Sequence, residues 1–465
     1  MPDDALAALT VRVRDDLSRI AHPRLPWMTP VTGPDGQAAL DVLIVGGGQS
    51  GVAIAHALMR AQVTNILVVD RAPAGLEGPW LTYARMHTLR SPKDYTGPDL
   101  DLPSLGYQSW HEAVYGPAHW QALDLITRQD WGRYVLWVRD TVGVPVANEM
   151  ELVDIAPADK VLAAIFADGS VRYARKVVLA TGQDGGGTWW MPDCVRDLPV
   201  RYRAHAADVI DFGSLRGKRV AVLGAGASAL DNAAVALEAG AASVSLFCRR
   251  FEPQVVQPFR WLTFAGFLRH LSDLDDAWRW RFMQHILSLR EGFPQPTWDR
   301  CACHANFRLV TGAPWEAAHV AGDAVVIETP AGVFEADFLI CGTGTMIDFA
   351  ARPELRRLRH NIAQWRDRYM PPVEERNDRL AAFPYLGPDF ALLPKVAGET
   401  DWMRDVHMFN IASSMSFGPS GASINAMTTA VPKLVAGLTR GLFVADVEKH
   451  WVSLRSYDVP QARLT

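Results

Sequence analysis

At 465 residues the chain is too long for one small domain, and two or three domains are expected. Hydrophobic residues make up 49% and charged residues 21%, the balance of an ordinary globular protein with a sizeable core. With 46 basic against 51 acidic side chains the formal net charge is −5, which speaks against nucleic acid or an anionic membrane as a partner. The opening Met-Pro-Asp-Asp lacks the cationic start and apolar run of a secretory leader. No stretch reaches the ~20 apolar residues that span a bilayer, so a cytoplasmic location is expected. The five cysteines (Cys194, Cys248, Cys301, Cys303 and Cys341) are an odd number in a long chain, which excludes a disulfide framework. Cys301-Ala-Cys303-His304 has no second Cys/His pair at ligand spacing, so buried thiols rather than a metal site are expected.

Residues 1–38 read as an N-terminal extension. An amphipathic helix is predicted over 3–20, and a Pro- and Gly-containing linker over 22–36, either packed on the body or placed between subunits. A strand–loop–helix follows: Asp41-Val-Leu-Ile-Val45, the loop 46–51, then helical spacing over 52–60. A second strand, Ile66-Leu-Val-Val69, ends in Asp70. A related unit lies near the middle, with strand Arg219-Val-Ala-Val-Leu223, loop 224–229, a helix to Ala239 with Gly240 as its C-cap, and strand Ser243-Val-Ser-Leu-Phe247 ending at Arg249-Arg250. Two more strands, Val177-Val-Leu179 and Phe338-Leu-Ile340, run into Ala180-Thr181-Gly182 and Gly342-Thr343-Gly344, each after a predicted β-meander. Residues 251–300 break the pattern with Trp261, Phe264, Phe267, Trp278, Trp280, Phe282 and Met283 on predicted helices. That stretch is read as extra core, or else as a lid over an apolar substrate channel or a dimer surface.

Gly46-Gly-Gly48-Gln49-Ser50-Gly51 fits the dinucleotide fingerprint, in which the first Gly makes the turn, the second lets a pyrophosphate approach and the third lets helix and strand pack. The helix start supplies amide donors and partial positive charge. Asp70, 19 residues after Gly51, can accept from both ribose hydroxyls and would repel a 2′-phosphate, so FAD or NAD is expected there. In the second loop, Gly224-Ala-Gly226-Ala227-Ser228-Ala229, Ala takes the third place. Arg249, at the position equivalent to Asp70, is followed by Arg250, and two guanidinium groups there can hold a 2′-phosphate, which argues for NADPH. The competing readings are an incidental Asp after a Gly-rich turn and a solvated basic turn. One site rejecting a 2′-phosphate beside one seeking it suggests FAD reduced by NADPH.

With these motifs the chain resembles the class B flavoprotein monooxygenases (flavin-containing, Baeyer–Villiger and N-hydroxylating enzymes) over about residues 40–440. Gly78-Pro-Trp80 is similar to the family's Gly-Gly-x-Trp near the flavin, and Ala180-Thr181-Gly182 and Gly342-Thr343-Gly344 to its two domain-crossing linkers. The resemblance implies Arg71, Trp80, Arg85, Met86, Thr181, Gly182 and Gly344 as further cofactor contacts. His205 matches the His of the family fingerprint, but Pro199, Arg201 and Val209 depart from it. Its role is catalytic or that of a structural hydrogen-bonder between domains. The stretch from Met86 to Lys93 is similar to the segment passing the flavin ring, and Ser91 stands near an Asn that several members place on the flavin. Gly418 and the following helical run, 422–438, are read as a helix start aimed at the flavin's pyrimidine edge, or else as a structural loop.

The expectation is an α/β protein of two doubly wound, Rossmann-like dinucleotide-binding domains. An FAD domain (39–183 and 331–465) would carry an inserted NADPH domain (184–330) that contains the helical insertion. The resemblance implies that NADPH reduces FAD, that O2 then forms a C4a-(hydro)peroxyflavin, and that one oxygen atom passes to a soft nucleophile of a small organic substrate, N- or S-oxygenation being the first choice. No C-x-x-C or nucleophile motif is present, which suits chemistry borne by the cofactor. The alternatives are an NADPH oxidase or reductase discharging to O2 or a quinone, and a non-catalytic redox sensor. A homodimer is the family's habit.

Overall fold

The computed structural model describes residues 2–95, 97–289, 292–419, 421 and 423–462. The apolar run Leu40–Val45 forms a strand buried on both faces, as strands of parallel sheets are. It lies between Ile66–Val69 and Val171–Leu179, parallel to both, and Val146–Ala147 and Val406–Met408 extend the parallel set on either side. The first half of Val171–Leu179 also pairs antiparallel with Val161–Phe166, which pairs in turn with Leu152–Ala158, so this sheet is mixed. Helix Gln49–Arg60 packs on it through Val52, Ile54, Ala55 and Leu58, under the long helix Met427–Ala445.

The second sheet runs Phe307–Val310, Ser243–Phe247, Arg219–Leu223, Phe338–Cys341, Arg203–His205, all parallel. Strand alternation divides its core. Val220, Val222, Val244 and Ile340 face helix Ala227–Glu238. Ala221, Leu223, Phe247 and Leu339 face the antiparallel meander Ala317–Ala321, Ala324–Thr329 and Gly332–Ala336. The expected return to the first domain at 331 therefore moves to 342, because Phe338–Cys341 hydrogen-bonds within the second sheet. An apolar strand after a meander reads alike in either sheet, and only its partners decide. The chain crosses between sheets at the turns after Leu179 and Cys341, where Gly187–Trp189 and Thr345–Ile347 pair antiparallel.

Helix Pro2–Arg19 is fastened to the first domain. Val13 is fully buried, Trp137 Nε1 donates to Thr10 Oγ1 at 3.0 Å, and Arg14 donates to the Thr141 carbonyl at 3.3 Å. The aromatic insertion folds into helices Pro258–Trp261, Ala265–His270, Asp276–Leu289 and Gln295–Ala302. Trp280, Met283 and Ile286 share a core with Trp365, Phe383 and Met415 of the C-terminal third. Trp280 Nε1 donates to the Glu375 carbonyl at 2.9 Å, and Lys433 donates to that of Arg269 at 2.8 Å. The insertion thus ties the second domain to the first, while Trp261 and Trp278 stay half exposed. Among the described residues no helix is long and apolar enough to cross a membrane, and no His, Cys, Asp or Glu cluster could hold a metal ion. Cys301 is buried against the Leu230 carbonyl, whereas Cys303 is exposed.

Candidate functional site

Each dinucleotide loop is pressed by one of the crossings. Gly46 (φ 111°) and Gly224 (φ 114°) both sit in backbone conformations that side chains rarely adopt. A Cβ on Gly46 would collide with the Ala180 carbonyl, and one on Gly224 with that of Gly342. The two crossings, whose glycines Gly182 (φ 71°) and Gly344 (φ 77°) turn the chain, are therefore built into the loops. A Cβ on Gly48 would rest in ordinary contact with Gly78 Cα at 3.6 Å, and a Cβ on Gly226 would meet nothing within 4 Å. Neither glycine is crowded where a phosphate must approach backbone amides, and both loops line the cleft, so the residues present fit a dinucleotide at each.

Between the loops lies a cleft of about 2040 Å³. This is about twice the upper end of the roughly 300–1,000 Å³ that one drug-sized ligand fills. Its lining includes Gly46, Gly48, Gln49, Ser50, Asp70, Arg71, Trp80, Arg85, Met86, Ser91, Thr181 and Gly182 on the first-domain side. His205, Gly224, Gly226, Ala227, Ser228, Arg249, Arg250 and Gly344 line it from the second domain and the second crossing. Gly51 and Ala229 do not line it. A Cβ on Gly51 would collide with the Gly46 carbonyl, so that glycine serves helix–strand packing, and Ala229 fills the same place against Gly342. Gly418 also stands apart from the cleft. At φ 73° it ends the short helix Ser414–Phe417, beside Leu271 of the insertion. The expected helix start near it is displaced as well. Residue 422 lies outside the described residues, and the long helix begins at Met427, after a turn in which Met427 N donates to the Ile424 carbonyl. That turn, with Ser423, Ile424 and Asn425, lines the cleft instead.

The Asp70 carboxylate accepts from Gly47 N at 2.7 Å and Ala72 N at 2.8 Å, which holds it at the edge of the first loop. Gln49 Oε1 accepts from Trp131 Nε1 at 2.9 Å, and Trp131 meets Trp80 edge-on. Arg71 reaches Asp184 at 3.4 Å, and Arg352 reaches the same carboxylate at 3.6 Å. Arg85 donates to the Asp208 carbonyl at 3.2 Å across the domain boundary, and burial followed by the neighbouring Arg128 lowers its pKa. His205 is buried beside Trp189, with ring centroids 5.0 Å apart, and Ala207 N donates to its Nδ1 at 3.1 Å. Burial pushes the imidazole down to about 4, against the pull of Asp208 and the Gly344 carbonyl. It is neutral at physiological pH, and its place on an edge strand beside both crossings suits positioning the domains.

Several cleft residues carry no sequence signal. Arg90 donates to Asp231 at 2.8 Å, joining the segment 86–93 of the first domain to the second domain's loop helix. Arg379 arrives from the C-terminal third and donates to the Thr345 carbonyl at 3.0 Å. Burial, then the nearby Arg249, lowers its pKa. Arg249 itself makes no ion pair with a carboxylate among the described residues, so the two guanidinium groups face the cleft short of negative charge. Arg250 is partly engaged, donating to the Ser288 carbonyl at 2.6 Å.

A mixed and a parallel α/β sheet with two glycine loops on one cleft define an oxidoreductase that brings two dinucleotides together. A family model described as FAD-NAD(P)-binding matches residues 43–184, and one described as L-lysine 6-monooxygenase/L-ornithine 5-monooxygenase matches 118–259. The FAD-dependent urate hydroxylase of Xanthomonas campestris pv. campestris is 40% identical over 457 residues, 98% of this chain and 96% of that protein. Among solved structures, L-lysine 6-monooxygenase from Pseudomonas syringae aligns with a TM-score of 0.68 at 18% identity, covering 86% of this chain and 99% of that one. The ornithine N-hydroxylase of Kutzneria sp. 744 aligns at 0.66 and 17%, covering 87% and 99%. The chain belongs to the class B flavoprotein monooxygenases. It is an FAD-dependent monooxygenase that binds FAD and NAD(P)H, which sets aside the reading as a non-catalytic sensor.

Proposed function

We propose that this enzyme uses NADPH, FAD and O2 to place one oxygen atom on a ring carbon of urate or a closely similar oxidised purine. The balance is substrate, O2, NADPH and a proton giving hydroxylated substrate, water and NADP+. The relative of 40% identity is a urate hydroxylase, and the polarity of the cleft supports carrying that substrate over. From the insertion and the C-terminal turn the described lining residues include Gln254, Gln257, Arg260, Thr263, Ser423 and Asn425, with no carboxylate among them. An ammonium group would find no counter-charge there, whereas an electron-rich anion finds amides, hydroxyls and a guanidinium. This observation turns the reading from N- or S-oxygenation to carbon hydroxylation. Oxygenation of an amine remains the second reading, favoured by the lysine/ornithine family match over 118–259.

In this reading the loop 46–51 with Asp70 holds FAD, and the loop 224–229 with Arg249, Arg250 and Arg379 holds NADPH. FAD, when bound, supplies the activation of O2 with electrons from NADPH. The protein's share is placement and electrostatics. Asp70, fixed by two amides, receives the ribose. The Trp80–Trp131 pair backs the loop. Arg90–Asp231 and the neutral His205 hold the domains in register. The apolar wall of Phe259, Met283 and Leu287 keeps water from the oxygen-transfer site. The test is to supply purified enzyme with NADPH and urate under labelled O2. Urate-dependent NADPH oxidation with one labelled oxygen in the product is expected. Urate that leaves NADPH consumption unchanged, or that only raises peroxide, refutes the reading.

A further inference from the structure

We infer that Asn425, Thr263 and Arg260 form the substrate-reading edge of the cleft, taking a planar, anionic heterocycle whose ring N–H donates to Asn425 Oδ1 and whose anionic edge pairs with Arg260. The inference rests on the proposed purine hydroxylation and names the groups that recognise the ring. Asn425 comes from the C-terminal turn of the first domain, while Thr263 and Arg260 come from the insertion of the second. Asn425 Nδ2 donates to Thr263 Oγ1 at 3.2 Å, which fixes the amide and leaves Oδ1 as the acceptor. That oxygen is buried and has no hydrogen-bond partner among the described residues. Gln254 Nε2, on the same cleft, is buried and unpartnered in the same way. Arg260 lines the cleft and makes no ion pair or side-chain hydrogen bond among the described residues.

A buried acceptor and a buried donor without partners among the described residues are costly unless a ligand completes them, and the exposed guanidinium of Arg260 stands free at the same cleft. Phe259, Met283, Leu287, Phe383 and Ile424 line the same region and give a flat ring apolar faces. A urate-like purine presents N–H donors, carbonyl acceptors and one delocalised negative charge around a plane, which matches Asn425 Oδ1, Gln254 Nε2 and Arg260 in turn. The reader spans both domains, and the bond from Lys433 to the Arg269 carbonyl holds the insertion in place. It assembles only when the insertion is docked.

Two measurements on the full-length holoenzyme test this. The first is titration of oxidised enzyme with urate, followed by the change in the flavin spectrum. The second is steady-state turnover with product analysis. Asn425→Ala is expected to raise the Kd and KM for urate about tenfold, and Arg260→Gln about 10–100-fold, from the loss of a neutral and a charge-assisted hydrogen bond. Asn425→Asp, which keeps the side chain's shape, should weaken urate more than a neutral oxopurine. Trp278→Ala, at a half-exposed insertion residue off the cleft, should leave urate affinity unchanged, and FAD content reports folding of every variant. Turnover of urate with unchanged affinities in the Asn425 and Arg260 variants overturns the inference and leaves the proposed reaction standing. Urate that binds through these residues without being hydroxylated does the reverse. Urate that neither binds nor turns over overturns both.

Discussion

Arg90→Gln would break the ion pair that joins the two domains at the wall of the cleft. Asp231 has a side chain 2% exposed, and it is held by Arg90 at 2.8 Å, by Arg300 at 3.6 Å and by Thr297 Oγ1 at 3.2 Å. Burial raises its pKa, and Arg90, then Arg300, pull it back. Removing one partner of a buried pair costs about 3–5 kcal/mol when the other charge is left alone. Arg300 remains and Arg90 is 21% exposed, so about 2–3 kcal/mol is expected. At roughly 2–4 °C per kcal/mol for a domain of this size, the unfolding transition of the second domain should fall by about 4–12 °C. Asp231→Asn removes the stranded charge, so the double variant should recover most of that loss. A folded pKa raised above the unfolded one favours the native state at low pH and costs stability as pH rises. The defect of Arg90→Gln should therefore shrink as pH falls towards the carboxylate range. The assay is thermal unfolding followed by flavin release and by circular dichroism, on both single variants and the pair. Destabilisation by Arg90→Gln that is as large in the Asp231→Asn background as with Asp231 intact, with no dependence on pH, would refute the reasoning.

Other expectations follow from the same geometry. Gly51→Ala places a methyl against the Gly46 carbonyl and should yield protein without FAD, whereas Gly226→Ala, facing open space, should fold with full FAD and show a raised KM for NADPH; flavin content and steady-state kinetics separate the two. Arg249→Gln and Arg379→Gln should each raise the KM for NADPH about 10-fold or more while leaving that for NADH nearly unchanged, and an equal effect on both coenzymes would remove these residues from 2′-phosphate recognition. Burial holds His56 and His205 down to about 4, so each contributes stability above about pH 6.5 that is lost as pH falls towards 4. Each accounts for about 2–3 kcal/mol at the acid end. Replacing His205 by Asn should flatten that acid decline, and chemical denaturation from pH 7 to pH 4 measures it.

Local pattern carried the dinucleotide loops. The strand, glycine loop, helix and the residue at the next strand's end are consecutive in the chain, so periodicity and spacing placed Gly46, Gly224, Asp70 and Arg249 without tertiary information. The crossings were legible for a related reason, since Gly182 and Gly344 each need a positive φ and follow directly on a buried strand. The end of the second domain was legible only in part: the turn 342–344 marked the crossing, but the bound at 331 gave Phe338–Cys341 to the first domain, and hydrogen-bond partners more than a hundred residues away put it in the second sheet. The helix expected from 422 failed for a different reason. The mixed run 423–426, Ser-Ile-Asn-Ala, is compatible with both turn and helix, and the long helix begins only at Met427.

The site itself was readable only where its chemistry is borne by backbone or by the ends of strands. Gly418 looked like a cofactor glycine and proved to cap a short helix, for a positive φ serves either purpose. Arg90, Arg379 and Asn425 are single polar residues in segments of no periodicity, and each gains meaning from what faces it: a carboxylate, a second guanidinium, a hydroxyl on another domain. This division follows from the reaction. Binding a dinucleotide uses groups that every glycine loop supplies, so the half of the cleft proposed for the cofactors is written in motifs. In the proposed reading, choosing one heterocycle over another depends on a few side chains brought together by an insertion and a terminal turn. If the proposed reading holds, substrate choice lies in contacts between segments remote in the chain, and a change of substrate requires no change in the dinucleotide loops.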